Sequence, residues 1–357
     1  MNGRCRRLTT LALLTSVSAL GLAACGGSSS SPGSSVKPAA STAPAGKPTL
    51  LVYSAQGYSP NGVAAFTKET GIPAKLVEDS TGPLLARIQA EKAAPQWGLL
   101  WVDGDEAFAA LDAEGMLKQG LTVPALTSVG QELTPSDDSY VPTGVTMACT
   151  LIYNSKAVSQ PPTSWQQLLE GKWKGKVGMN DPAVSGPTYP CIAGLMSYLG
   201  SQAKGEAFVK QLKANGLHVS QTNGDTLHLL ETGQIDVGLI QSSAAIGAAS
   251  KTPGLKVAYL PKLTLLPSVI GVDGKAPAAV QEEAQKFIEW VLSPAGQKQM
   301  QTGDPHGDSL YWPVVPGTRP LAGLPALSSI SSQKIDPGVW GPREPQINNW
   351  FTANIAQ

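Results

Sequence analysis

An α/β protein in two parts is the fold class this sequence predicts, and three observations predict it. Strand-like apolar runs alternate with amphipathic stretches at short spacing from residue 49 onward. The chain has 357 residues, which at roughly 100–200 per domain makes two domains. Apolar residues are 42% of it, enough for large cores, and no apolar run beyond residue 25 reaches the ~18 residues of a membrane-spanning helix. The 26 basic and 26 acidic residues cancel. No single-sign field is left to release counterions, so no nucleic-acid partner is expected.

The elements follow in order. Thr49–Tyr53 (TLLVY) reads as a buried strand. Ser59 and Pro60 supply an N-cap and a first-turn proline for a helix to Thr70, closed by Gly71. Ile72–Val77 is a strand, and Pro83–Ala93 a helix with Leu84, Leu85 and Ile88 on one face. Leu99–Val102 is a strand, and Asp105–Glu114 a helix ended by Gly115. Val145–Tyr153 (VTMACTLIY) is the longest strand and opens a second set. Strands at Lys176–Met179, Ile235–Ile240, Leu255–Leu260 and Ser268–Val272 alternate with helices at Gly186–Leu199, Gln202–Ala214 and Asp225–Thr232. Ala278–Leu292 is amphipathic, with Val280, Ala284, Phe287, Ile288 and Val291 inward, and Pro294–Gln301 continues as a second helix. The Gly-, Pro- and Trp-rich tail wraps the surface, with a short helix near Ile347–Ile355.

The first 48 residues are not part of the fold. Arg4, Arg6 and Arg7 precede an apolar stretch, Leu8 to Leu22, that is too short and too polar to span a bilayer. It ends in Leu22-Ala23-Ala24-Cys25, which resembles the lipobox of bacterial lipoproteins, with Cys25 diacylated as the new N-terminus. An ordinary signal peptide cut near Ala24 is the alternative. Residues 26–48 are Gly, Ser, Pro, Ala and Thr with one valine and two lysines, a composition that buries no face and reads as a tether. The expectation is an exported, lipid-anchored protein, periplasmic or on the outer surface of a Gram-positive cell. Removing residues 1–24 takes away three Arg and no acid, so the exported chain is slightly acidic. Cys149 and Cys191 are then the remaining thiols. In an oxidising compartment they pair or lie buried apart, and sequence leaves both open.

In open α/β sheets ligands bind beyond the carboxyl ends of the strands. The loops there are Ser54 to Tyr58, Ser80-Thr81-Gly82, Asp103 to Asp105, Asp181 to Tyr189, Thr222-Asn223-Gly224 and Gln241-Ser242-Ser243. Most are small, polar and placed before a helix, where backbone N–H groups and hydroxyls hold anions. Any one of them can equally be a plain N-cap. Catalytic patterns are missing. The folded region has no G-x-S-x-G, no H-E-x-x-H and no phosphate-binding G-x-x-x-x-G-K-[ST]. Asp304, His306 and Asp308 alternate in a Gly/Pro turn, and a turn is the preferred reading over a metal site. His218 and His228 have no evident partner. No cofactor, no metal and no enzymatic activity are expected.

LLVYSAQG, ETGI, STGPLLARIQAE, LDAEGML, LIYNSKAV, PTSWQQLL, WKGKVGMNDPAVSG, GQIDVGLIQ, AQKFIEWVLSPAGQKQM and YWPVVPG run in order through the folded region. Together they resemble the extracellular solute-binding proteins of ABC importers, in the branch of ferric-binding proteins and relatives that take up phosphonates, sugar phosphates or thiamine. The resemblance implies a type 2 periplasmic-binding-protein fold, two lobes with mixed, mainly parallel sheets and two interlobe crossovers. These fall near Pro142–Thr146 and Pro261–Leu266. Lobe 1 is then residues 49–143 plus 263–300, and lobe 2 residues 144–262 plus 301–357. It implies a monomer that captures a small solute in the cleft and hands it to a permease and ATPase. A secreted hydrolase and a chemosensory lipoprotein are the readings from other classes.

The resemblance also shapes the ligand. Ferric-binding relatives carry two adjacent tyrosines where this chain has Ser242, Ser243, Ala244 and Ala245, so phenolate ligation of iron loses its motif. Tyr58 and Tyr189 are the remaining candidate phenols. Ser80, Thr81 and Gly82, with Ser185, Gly186 and Thr188, resemble the oxyanion loops of phosphonate and phosphate-ester binders. Asp103 or Asp105 could pair with an amine on the same ligand, which points to an aminophosphonate-like zwitterion. Ser54, Gln56, Asp181, Gln241, Ser242 and Ser243 complete the candidate ligand set. Trp97 or Trp101 either stacks on the ligand or packs in the core.

Overall fold

The computed structural model describes residues 47–357. The expected signal segment, Cys25 and most of the tether lie outside the described residues. The first unit is strand–helix–strand: β1 (Leu50–Ser54), α1 (Ser59–Thr70), β2 (Ala74–Glu78), α2 (Thr81–Ala90), β3 (Leu99–Asp103) and α3 (Asp105–Ala113). Then come α4 (Ser128–Leu133), β4 (Tyr140–Met147), β5 (Thr150–Asn154), β6 (Val177–Asn180), α5 (Thr188–Tyr198), α6 (Gln202–Ala214), β7 (His218–Ser220), α7 (Asn223–Glu231), β8 (Val237–Ile240), α8 (Ser242–Lys251) and β9 (Leu255–Ala258). The chain returns through β10 (Leu263–Val272), α9 (Ala278–Val291) and α10 (Pro294–Gly303), and ends in β11 (Trp312–Pro313), β12 (Ser332–Gln333), α11 (Pro337–Trp340) and α12 (Glu344–Asn354).

Two sheets form. The larger runs β11-β4-β10-β3-β1-β2, with β12 beside β10, and the smaller runs β7-β6-β8-β5-β9. Both are mixed. β1 is parallel to β2 and β3, and β6 to β7 and β8. β10 is antiparallel to β3 and β4, and β5 to β8 and β9. The antiparallel share exceeds what strand–helix alternation suggests, because β5 and β10 are entered directly from the preceding strand rather than through a crossover helix.

Period-2 alternation divides the larger sheet's faces. Val52, Leu99, Trp101 and Ile270 pack with Phe66 and Phe287, while Tyr53, Leu100, Val102 and Val269 pack with Leu84 and Phe108. The smaller sheet packs Leu151, Val177 and Met179 against Ile192, Met196 and Phe208, and against Ile347 and Phe351 of the tail. The tail therefore divides: Trp312–Pro313 extends the larger sheet, while α12 packs on the core of the smaller one.

The expected single strand Val145–Tyr153 is two. Ala148 and Cys149 turn between β4 and β5, one in each sheet, and Cys149 sits at φ 55, in the left-handed region. β10 is longer than expected because Pro267 interrupts its pattern; a register shift at Ser268/Val269 accommodates it. The helix at Ser242–Lys251 carries no clear sequence signal, because its Ala/Gly/Ser face has little hydrophobic contrast. Cys149 and Cys191 form a disulfide, Cα to Cα 5.4 Å, which ties the turn between the sheets to the first part of α5. The pair is 42 residues apart, which corresponds to ~4 kcal/mol of loop entropy removed from the unfolded chain. Cys149→Ser is expected to lower unfolding stability by about 2–4 kcal/mol, and dithiothreitol should destabilise the wild type but not the variant.

Candidate functional site

Four helices begin at one place between the two sheets. α2, α5, α7 and α8 have Ser80, Pro187, Thr222 and Gln241 at their N-caps, and all four residues line one cavity of about 200 Å³. Each helix start leaves N–H groups without an intrahelical partner and carries roughly half a positive charge. Thr81, Ser185, Gly186, Asn223, Gly224 and Ala55 add to the wall, with the carboxylates Asp103 and Asp308. Among the described residues, neither lysine nor arginine lines it.

Ser80 does not cap its own helix, so its hydroxyl is free to meet a ligand, whereas Thr222 forms a full capping box with Asp225. Asn180, which sequence reading passed over, sits behind the wall. Its amide donates to Ser185 Oγ at 3.1 Å and Asn223 Oδ1 at 2.7 Å, and its carbonyl accepts from Thr226 at 2.7 Å. It fixes two wall residues from adjacent loops.

Asp103 ends β3 and is 7% exposed. Gln56 Nε2 donates to its Oδ1 and Gln241 Nε2 to its Oδ2, both at 2.9 Å. One amide comes from a loop of the larger sheet and one from a loop of the smaller. Burial, followed by the charge of Asp308, pushes the Asp103 carboxyl up to about 7, against the pull of the two amides. Asp308 accepts from the Gly57 N–H at 2.7 Å and lies 3.4 Å from the Ser243 hydroxyl. Burial raises it to about 6. From sequence Asp308 reads as part of a turn in preference to a metal site; nothing local in GDPHGD shows that the turn returns to the end of β1.

The halves touch directly around the cavity. The Gly82 N–H donates to the Val184 carbonyl at 3.1 Å, and Gly186 packs against Thr81. Gly82 thus serves contact between the halves rather than lining the cavity.

Other expected site residues are placed elsewhere. Ser54 is fully buried and donates to the Trp101 carbonyl at 2.9 Å. Gln56 and Ser243 act through the two carboxylates. Tyr58 is 1% exposed, bonded to Ser268 Oγ at 3.0 Å and packed on Trp101, and burial raises its phenol well above the ordinary range. Tyr189 donates to the Trp340 carbonyl and is raised likewise by burial. Neither phenol reaches the cavity, and neither is poised to ionise. Ser242 Oγ accepts from the Met147 N–H at 3.0 Å. Asp181 holds the Ala183 N–H at 2.9 Å and shapes its loop. Thr188 opens α5, buried beside the wall. Asp105, two residues past Asp103, faces a second cavity with Tyr140, Lys334 and Asp336. Trp97 and Trp101, at 2% and 0% exposure, are core, and the Trp101 indole donates to Thr143.

The family model of bacterial extracellular solute-binding proteins matches residues 62–323. The chain belongs to this family. The solute-binding protein is 27% identical over 244 residues to a putative 2-aminoethylphosphonate-binding periplasmic protein of Salmonella typhimurium, covering 66% of this chain and 69% of that one. It is 24% identical over 298 residues to the Fe(3+)-binding periplasmic protein of Serratia marcescens, covering 80% and 85%. Among solved structures it resembles the periplasmic binding protein P5PA, with TM-score 0.75 at 18% identity over 86% of this chain and 99% of that one. AfuA of Actinobacillus pleuropneumoniae, solved with fructose-6-phosphate bound, gives TM-score 0.75 at 17% identity over 86% and 98%. Both likenesses are of two-lobed α/β folds with mixed sheets.

Proposed function

We propose that this solute-binding protein is the receptor of an ABC importer and that its solute is a small zwitterion, an amine joined to a phosphonate or phosphate ester. The carrying observation is the mixed lining of the cavity. Hydroxyls and helix starts from both halves line it together with the carboxylates Asp103 and Asp308. The hydroxyls and helix starts suit an oxyanion and the carboxylates an ammonium group. The Salmonella relative's 2-aminoethylphosphonate has this chemistry. The reading takes the chain to bind without chemical conversion, to pass its cargo to a permease and ATPase, and to be held at the membrane through Cys25. Among the described residues the lining has no aromatic to stack on thiamine, and the buried Tyr58 and Tyr189 offer no phenolate to iron.

Two measurements test this. 2-Aminoethylphosphonate at about 100 times its Kd should add ~2.7 kcal/mol of stability in a thermal-shift assay, whereas ethylphosphonate, which lacks the amine, should add almost none. Equal shifts from both would sink the zwitterion reading. Cys25→Ser should release the exported protein from the membrane fraction; a variant still membrane-bound counts against the anchor.

A further inference from the structure

Glu106 is the residue the site leaves unexplained. It lies in the first turn of α3, is 1% exposed, and neither carboxyl oxygen has a hydrogen-bond partner among the described residues. Buried carboxylates are normally paired or hydrogen-bonded, so such a group needs a reason. Its surroundings come from both halves of the molecule. α3 packs on the larger sheet through Phe108 and Leu111. Pro190, at the start of α5 on the smaller sheet, lies beside its carboxyl, and Gly341 of the tail packs on the backbone of the same turn of α3. A side chain on Gly104 would touch both the Glu106 carboxyl and the Pro190 ring at 3.3 Å. One on Gly341 would meet the Glu106 carbonyl at 2.3 Å. Moving α5 away from α3 as the halves part therefore removes Pro190 from the Glu106 carboxyl.

We propose that Glu106 makes closure of the two halves proton-linked: the carboxyl is a neutral acid in the closed arrangement and releases its proton to water when the halves separate. Carboxylate neighbours reinforce this. Asp105 on its own helix and Glu344 of α12 face it as like charges, and Asp336 lies beside Asp105. The Tyr189 and Tyr140 phenols are neutral, and Arg343 and Lys334 are the opposing cations of the tail. Burial of the carboxyl is the largest effect and drives it well above the ordinary range; Glu344 is raised to about 7 for the same cause. A proton bound only by the closed form shifts the closed-to-open ratio by up to about tenfold per pH unit. Acid favours closure.

The test uses the full chain without added solute, so it does not depend on the zwitterion reading. Small-angle scattering at about pH 5.5 and about pH 8 should give a smaller radius of gyration in acid. Asp103 and Asp308 contribute their own pH response, so the comparison is with Glu106→Gln, which should be more compact at the higher pH and respond less to pH. An unchanged pH response in that variant overturns the proposal. Carbon-13 NMR titration of the wild-type Glu106 carboxyl gives a second readout that needs no variant. It should remain protonated at neutral pH; titration near its ordinary value of about 4.3 overturns the proposal.

Discussion

Asp103→Asn is expected to weaken solute binding by a factor of ~30 or more, while leaving the unliganded protein at least as stable as the wild type. The first half follows from removing one partner of a buried charge pair, which costs ~2–5 kcal/mol of affinity. The second follows from the site itself. In the unliganded protein Asp103 is buried near Asp308, which raises its carboxyl to about 7. Between an ordinary value near 4 and about 7, the folded protein binds more protons at this position than the unfolded chain. Its contribution to stability is therefore greatest below about pH 4 and is lost as pH rises through 7. Asparagine removes the charge but leaves one of the Gln56 and Gln241 amides without its acceptor. The net gain at neutral pH is on the order of 1 kcal/mol. Binding of an ammonium solute has the opposite pH dependence, because the bound form keeps both carboxylates charged. Affinity should fall as pH drops from about 7 through about 6, where Asp103 and Asp308 protonate. Calorimetric titration and thermal denaturation across this range check both signs. Undiminished affinity in the asparagine variant would remove Asp103 from the site.

Gly82→Ala is expected to lower affinity by more than about 100-fold without unfolding the protein, since ~3 kcal/mol of lost closure suffices for this. A Cβ at Gly82 would lie 2.0 Å from the Ala183 carbonyl oxygen across the cleft, closer than van der Waals contact permits. Gly82 is in the first turn of α2, where alanine is a better helix former by about 0.5–1 kcal/mol. The clash thus falls on closure and not on folding. Scattering should show a permanently more open molecule with wild-type or higher thermal stability. A variant that closes and binds normally contradicts the contact between Gly82 and the 181–187 loop as the limit to closure.

Much of the cavity was legible because strand ends in α/β sheets converge. Ser80, Thr81, Asp103, Ser185, Gly186 and Gln241 were read from separate loops, and one cavity collects them. What was illegible has physical causes. Asp308 reaches the cavity through a return of the chain after α10 that no local pattern records. Tyr58 and Tyr189 belong to the right loops, but their rings turn inward onto Trp101 and the tail. Asp105 is two residues past Asp103, and entry into a helix rotates it into another cavity. The turn at Cys149 is hidden because VTMACTLIY is apolar but for Thr146 and Thr150, so period alone does not show that it changes sheets.

The position of β10 sets the order in which this chain can fold. It lies between β3 and β4, although residues 99–147 precede it by more than a hundred positions. A nascent or partly exported chain that stops short of Leu263 holds β3 and β4 with nothing between them, each presenting unpaired backbone. The larger sheet is a late, long-range assembly, and its formation is slow relative to the local helices around it. Until then the exposed strand edges are open to pairing with other chains.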